Sequence, residues 1–208
     1  MVGMTKPKQS PPDHHLQNVE RNIRDHGYFI TCVVGDQHNP GYCYTTGFLH
    51  IGHPELVSFA LDPSAVQFVF DRLYAEAKAG QRREIGRDAP GDIEGAPICL
   101  LPVPPRHFTG SDCLLLGFAF YYGHHQELVK GEHLFVQVVW PDRERRLPWE
   151  DDVDWTVWRD QPVLADGDEP VRKMPLDEPV ENRCQCVGCR AEAAPANRAD
   201  RRRRQRQR

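Results

Sequence analysis

Leu16, Val19 and Ile23 recur at three- and four-residue intervals in the polar segment SPPDHHLQNVERNIRDHG, and this single apolar stripe predicts a first helix. Ser10 with Asp13 resembles a capping box, Pro11 and Pro12 suit a first turn whose N–H groups have no partner in any case, and Gly27 ends the helix because glycine accepts the left-handed conformation. The pattern then shifts to β-branched and aromatic runs. YFITCVVG (28–35), YCYTTGFL (42–49) and LVSFALD (56–62), separated by Gly, Pro, Asn and His, predict an antiparallel meander. Asp62 and Pro63 open a second helix as cap and first-turn residue, with Val66, Val69, Phe70, Leu73 and Ala77 on its core face and Gly80 beyond its end. Residues 81–95 are charged and turn-prone. PICLLPVPP (97–105) reads as a strand ending at prolines, DCLLLGFAFYYG (112–123) is apolar enough for either helix or strand, with helix preferred, and HLFVQVVWPD (133–142) reads as a strand whose length and β-branched content suit the middle of the sheet. Trp155 and Trp158, followed by QPVL (161–164), are expected to fold back as anchors.

Together these elements predict an α+β fold, with one mostly antiparallel sheet and two or three helices in residues 12–165. Residues 1–11 and the tail at 166–208 lack apolar periodicity and are expected to be disordered. A chain of 208 residues suits one such domain, and no run approaches the roughly 20 apolar residues that span a bilayer. The start, MVGMTKPKQSPPDHH, has no apolar h-region, so a cytoplasmic protein with no membrane partner is expected. Four of the seven cysteines are scattered (Cys32, Cys43, Cys99, Cys113), and the odd total argues for a reducing compartment and against a disulfide framework.

The other three cysteines are clustered. In R-C-Q-C-V-G-C-R, Cys186 and Cys189 have the two-residue spacing of a metal knuckle, with Gly188 allowing the turn that brings two thiolates onto one ion. Cys184, two residues upstream on an extended segment, points the same way and adds a third thiolate. Zinc suits this soft donor set, with iron–sulfur and copper(I) as alternatives, and Arg183 and Arg190 lower the thiol pKa values. Three thiols so close together on a polar segment are hard to explain as packing, although a redox-active or merely solvated group is the competing reading. The fourth ligand is a water, a second chain, or a residue of the domain, with His50, His53, His124 and His125 as candidates.

Charge is distributed unevenly. From 190 to 208 eight Arg oppose Glu192 and Asp200, a net of +6, which leaves −10 for residues 1–189 in a chain of net charge −4. Arg198, Arg201, Arg202, Arg203, Arg204, Arg206 and Arg208 form a cationic arm suited to phosphate backbones, structured RNA above all. Pairing with the acidic 142–181 stretch and plain solvation are its rivals.

An enzymatic reading is weaker. His53-Pro54-Glu55 with Cys186-x-x-Cys189 superficially matches the H-x-E and P-C-x-x-C pattern of zinc deaminases, but Gln185 replaces the proline and about 130 residues intervene. Cys43 or Cys113 paired with a histidine is a further combination, and Trp140, Trp149, Trp155 and Trp158 are more readily satellite core than pocket lining.

The order HGYFITCVV (26–34), YTTGFLHIGHPELV (44–57), VQVVWPDRERRLPWE (136–150) and QPVL (161–164) resembles the bacterial family catalogued as domain of unknown function 4262, over roughly residues 16–165. That resemblance implies a small α+β domain with one sheet and no established chemistry. The thiolate cluster, basic tail and Arg-rich composition together also resemble the zinc-regulated actinobacterial factor that recruits a hibernation-promoting protein to the ribosome. This second resemblance implies that zinc on Cys184, Cys186 and Cys189 signals metal sufficiency and switches the factor off, while the arm contacts rRNA. The expectation is therefore a zinc-responsive, non-enzymatic adaptor acting on RNA or the ribosome. Its alternative is a metal- or cysteine-dependent enzyme, or a small-ligand-binding protein, with its site in the α+β domain.

Overall fold

The computed structural model describes residues 13–36, 39–108 and 115–165. The expectations for residues 1–11 and for the tail from 166 lie outside these residues.

The first apolar stripe forms α1 (Asp13–His26), and Gly27 follows it at φ 95°. The three β-branched runs form β1 (Phe29–Val33), β2 (Tyr42–Thr46) and β3 (Glu55–Phe59), paired antiparallel as the meander requires. α2 (Pro63–Lys78) starts as its sequence dictates: the Asp62 carboxylate accepts from Ser64 N at 2.9 Å, and Pro63 needs no partner in the first turn. Two short elements come from sequence without a clear period. β4 (Gly91–Ile93) lies in the charged stretch and pairs with β5 (Ala96–Pro102), while α4 (Trp155–Asp160), capped by Asp154, is one helix more than the pattern predicts. α3 (Leu116–His124) resolves the ambiguous apolar run as helix, and β6 (Phe135–Val139) completes the sheet.

Strand order is β1-β2-β3-β6-β5-β4. β3 and β6 are parallel neighbours and the other four pairings are antiparallel, so the chain returns to the centre of the sheet after α2, the β4–β5 hairpin and α3. Every residue of β3 and of β6 is buried, as expected for strands covered on both faces. α2 covers one face, where Val66, Phe70 and Leu73 meet Leu56, Leu100, Val136 and Val138. α1 and α3 cover the other, with Val19, Phe118 and Tyr122 against Tyr44, Val57 and Phe135. Leu147, Trp149 and Val163 extend that second layer over Cys99, Leu101 and Val139.

One expectation is corrected. Cys32 and Cys43 stand directly opposite in the β1–β2 register and are joined as a disulfide. Composition argued against pairing, but the hairpin brings the two side chains together from positions that are unrelated along the chain. Cys99 is free and buried, and Cys113 lies outside the described residues.

Candidate functional site

Glu55 is the first residue of β3, and its side chain is fully buried. Taking a carboxylate out of water is costly unless donors replace the lost hydration. Four donors do so. Thr45 Oγ1 donates to one carboxylate oxygen at 2.6 Å, and Gly47 N at 2.8 Å, Leu49 N at 3.1 Å and the Tyr122 hydroxyl donate to the other. Thr45 Oγ1 also accepts from Leu56 N at 2.8 Å, so the hydroxyl links β2 to β3 in both directions. Burial raises the Glu55 carboxyl, restrained by these donors, and burial with the adjacent carboxylate raises Tyr122.

The backbone turn that supplies two of the donors depends on Gly47 at φ 131°, where a Cβ would lie 2.7 Å from Gly27 O. The YTTGF and HPE segments thus meet through one carboxylate, and Tyr122 brings α3 to the same point. This carboxylate is occupied by the domain's own donors and acts as a staple between β2, β3, the 3-10 turn Phe48–Ile51 and α3.

Outside the staple lies an aromatic and imidazole cluster. His50 Nε2 and the Tyr121 hydroxyl share a hydrogen bond of 2.9 Å, His125 packs on Tyr121 with ring centroids 4.5 Å apart, and the two imidazoles are 6.2 Å apart. Burial lowers the His50 pKa and neighbouring His125 lowers it further, while burial is the main cause that pushes Tyr121 up to about 12. His125 also faces Glu127 at 3.6 Å. His53 has the organising role that its loop position suggests: its Nδ1 donates to Pro54 O at 2.7 Å and its ring packs on Phe48.

A third polar group fixes the end of the domain. The Gln137 amide, on central β6, donates to Pro162 O and accepts from Leu164 N, both at 2.8 Å. Gln161 reciprocates, accepting from Trp140 N at 2.8 Å and donating to Trp140 O at 2.9 Å. Both glutamines are buried, so residues 161–164 are held against β6 and Trp140. Trp140 donates from Nε1 to Phe59 O, Trp149 packs on this layer and carries the Arg87 guanidinium over its ring, and Trp155 stacks on Trp158 in α4.

Asp142 ties the WPDRER turn to the start of α4 by accepting from Arg146 N and Nε, both at 2.8 Å, and from Asp154 N at 3.0 Å. Burial disfavours its charge, but the two backbone N–H groups and the guanidinium outweigh this and hold the carboxyl below its usual range. An acid held below its unfolded value stabilises the fold above that value, about 3.9, and the contribution disappears as pH falls through the lower folded value. Asp142→Asn is therefore expected to lower the melting temperature at pH 7 and to shrink the loss on acidification from about pH 5 downward, measured by thermal melts across pH.

The residues singled out by sequence divide sharply. Cys184, Cys186, Cys189 and the seven arginines of the arm lie outside the described residues. His50 and His125 are brought together, His53 is buried apart from them, and His124 packs on Phe120 at the end of α3. Cys43 is paired with Cys32, and Glu55 serves the staple. Among the described residues, no group of three or more His, Cys, Asp or Glu is placed to hold a metal ion, and no helix is long and apolar enough to cross a membrane. A cleft of about 280 Å³ lies beside Arg83, Gly91 and Leu100, with Arg83 already paired to Glu76 at 2.7 Å. Sequence reasoning did not find the Glu55 staple. The available signal was a glutamate opening an apolar strand that pattern alone places inside.

A family model described as domain of unknown function (DUF4262) matches residues 22–154, more than half of the 208-residue chain. No curated protein and no solved structure matches.

Proposed function

For a chain that belongs to the DUF4262 family, whose description states no activity, we propose a zinc-responsive, non-enzymatic adaptor that acts on RNA or the ribosome and promotes ribosome hibernation under zinc starvation. The observation that carries this reading is the set of three thiols, Cys184, Cys186 and Cys189, within six residues and next to the arginine arm. Thiolates bind zinc at about 2.3 Å, and three of them on one ion leave a net charge of about −1 where the free thiols were neutral. That change falls beside a segment of net charge +6 and weakens its attraction for phosphate. The apo protein is the RNA-binding form. The Gln137 and Gln161 clamps suit this role because they hold residues 161–164 against β6, ahead of the thiols and the arm in the sequence.

Bound thiols must lose their protons, so zinc affinity falls at acidic pH. Wild-type protein is expected to hold about one zinc per chain, and the Cys184/Cys186/Cys189→Ser form almost none, with an unchanged melting curve for the domain. Metal analysis and circular dichroism on the two proteins check this. Equal zinc in both would remove the assignment, and loss of the fold in the variant would make the metal structural instead.

A further inference from the structure

Cys32 and Cys43 differ in exposure although one bond joins them. Cys32 is exposed on β1, with no strand beyond β1 among the described residues, whereas Cys43 is buried in the α2-facing core. The register continues inward: Cys32 faces Cys43, and Cys43 faces Ser58 of β3, which is buried with its hydroxyl donating to Val138 O at 3.3 Å. Residues directly opposite on antiparallel strands share a face, so Cys32, Cys43 and Ser58 form one row running in from the sheet edge. A thiolate displaces a disulfide sulfur along the line of the bond, from the side away from the leaving sulfur. For Cys32 that line comes in from the open edge. For Cys43 it starts on the side of Ser58, inside the sheet.

We propose that Cys32 is a modification site, at which a low-molecular-weight thiol opens the hairpin bond and stays attached as a mixed disulfide, leaving Cys43 as a thiol. Two further observations suit a small anionic thiol of the glutathione class. Residues 27–35 and 42–46 carry no charged side chain, so neither strand of the hairpin repels it. Cys99, the free cysteine among the described residues, is buried, and burial, with Glu150 and Asp88, pushes its thiol up to about 11, so it does not supply an internal nucleophile in place of the small thiol.

The step balances without an oxidant. The small thiol gives up its proton, its thiolate attacks Cys32 Sγ, the Cys32–Cys43 bond breaks, and the bonding pair leaves on Cys43 Sγ, which takes up a proton. One thiol is consumed and one appears, and one disulfide replaces another. In the reverse step Cys43 attacks Cys32 Sγ, expels the small thiol and restores the hairpin bond, so the mark is reversible. While attached, a thiol of the glutathione class puts charge on an edge strand that otherwise has none, and charge at an edge opposes pairing with another chain. The exchange involves no metal and stands apart from the adaptor reading.

The test uses the full chain in its Cys184/Cys186/Cys189→Ser form, oxidised at Cys32–Cys43 and then exposed to reduced glutathione. Samples taken over time are quenched in acid, alkylated under denaturing conditions and mapped by peptide mass spectrometry. Glutathione is expected on Cys32 in about tenfold or greater excess over Cys43, the ratio that a barrier difference of about 1.4 kcal/mol gives. Chains modified at Cys32 should carry the alkyl label on Cys43. In urea, where the row across the sheet is gone, the two sulfurs are expected to react alike. Adducts shared equally in the folded chain, or no Cys32 adduct at any time, overturn the proposal. So does a Cys32 excess that persists unchanged in urea, because the fold would then play no part in it.

Discussion

Replacing Glu55 by Ala is expected to cost about 4 kcal/mol or more, near the top of what single substitutions do. The variant removes the one acceptor shared by Thr45 Oγ1, Gly47 N, Leu49 N and the Tyr122 hydroxyl, all buried. Each stranded donor costs about 1–3 kcal/mol, although Gly47 N keeps a second bond to Tyr122 at 3.1 Å and so loses less than the others. For a domain of this length, 1 kcal/mol shifts the melting temperature by about 2–4 °C, so a fall of about 10 °C or more is expected by calorimetry. Glu55→Gln keeps an acceptor oxygen for Gly47 N and Leu49 N and is expected to lose less than half as much. Equal losses for the two variants would place the stability in the charge and not in the acceptor geometry.

The second large effect concerns the arm. If Arg198, Arg201, Arg202, Arg203, Arg204, Arg206 and Arg208 all meet phosphates, log affinity for structured RNA should fall against log salt with a slope of about −5 to −6. Such binding weakens by about 10³ between 50 and 200 mM salt. Deleting residues 197–208 is expected to flatten that slope and lower affinity at low salt by a similar factor, measured by fluorescence titration of a labelled rRNA hairpin. An unchanged slope would mean that the arm does not touch the RNA. In the proposed function zinc alters charge beside the arm, so the metal should act on this salt-dependent part of the affinity.

Much of the fold was legible because local pattern and tertiary context agree. The stripe Leu16, Val19 and Ile23 does pack inward, and Asp62-Pro63 does open α2. The length and β-branched content of β6 point to the middle of the sheet, and it is buried at every position between β3 and β5. What pattern could not supply was long-range pairing. The parallel β3–β6 contact, the short β4 and the Cys32–Cys43 bond depend on which segments meet, and no periodicity within either segment records this. Glu55 shows the same limit from the side of chemistry. Its buried charge is acceptable only because donors from β2, the 3-10 turn and α3 converge on it, and they come from positions up to 67 residues away. The zinc proposal is the opposite case, since it rests on three cysteines within six adjacent residues and on no contact between elements.

In the proposed function, zinc controls engagement of the ribosome through Cys184, Cys186 and Cys189. Sucrose-gradient sedimentation of the full chain with ribosomes, in zinc and in chelator, beside the Cys184/Cys186/Cys189→Ser form, tests it most directly. Zinc is expected to release the wild-type protein from the ribosomal fractions, while chelator keeps it there and the Ser form co-sediments in both. Wild-type protein that stays out of the ribosomal fractions in both conditions, or co-sediments equally in both, would contradict the claim.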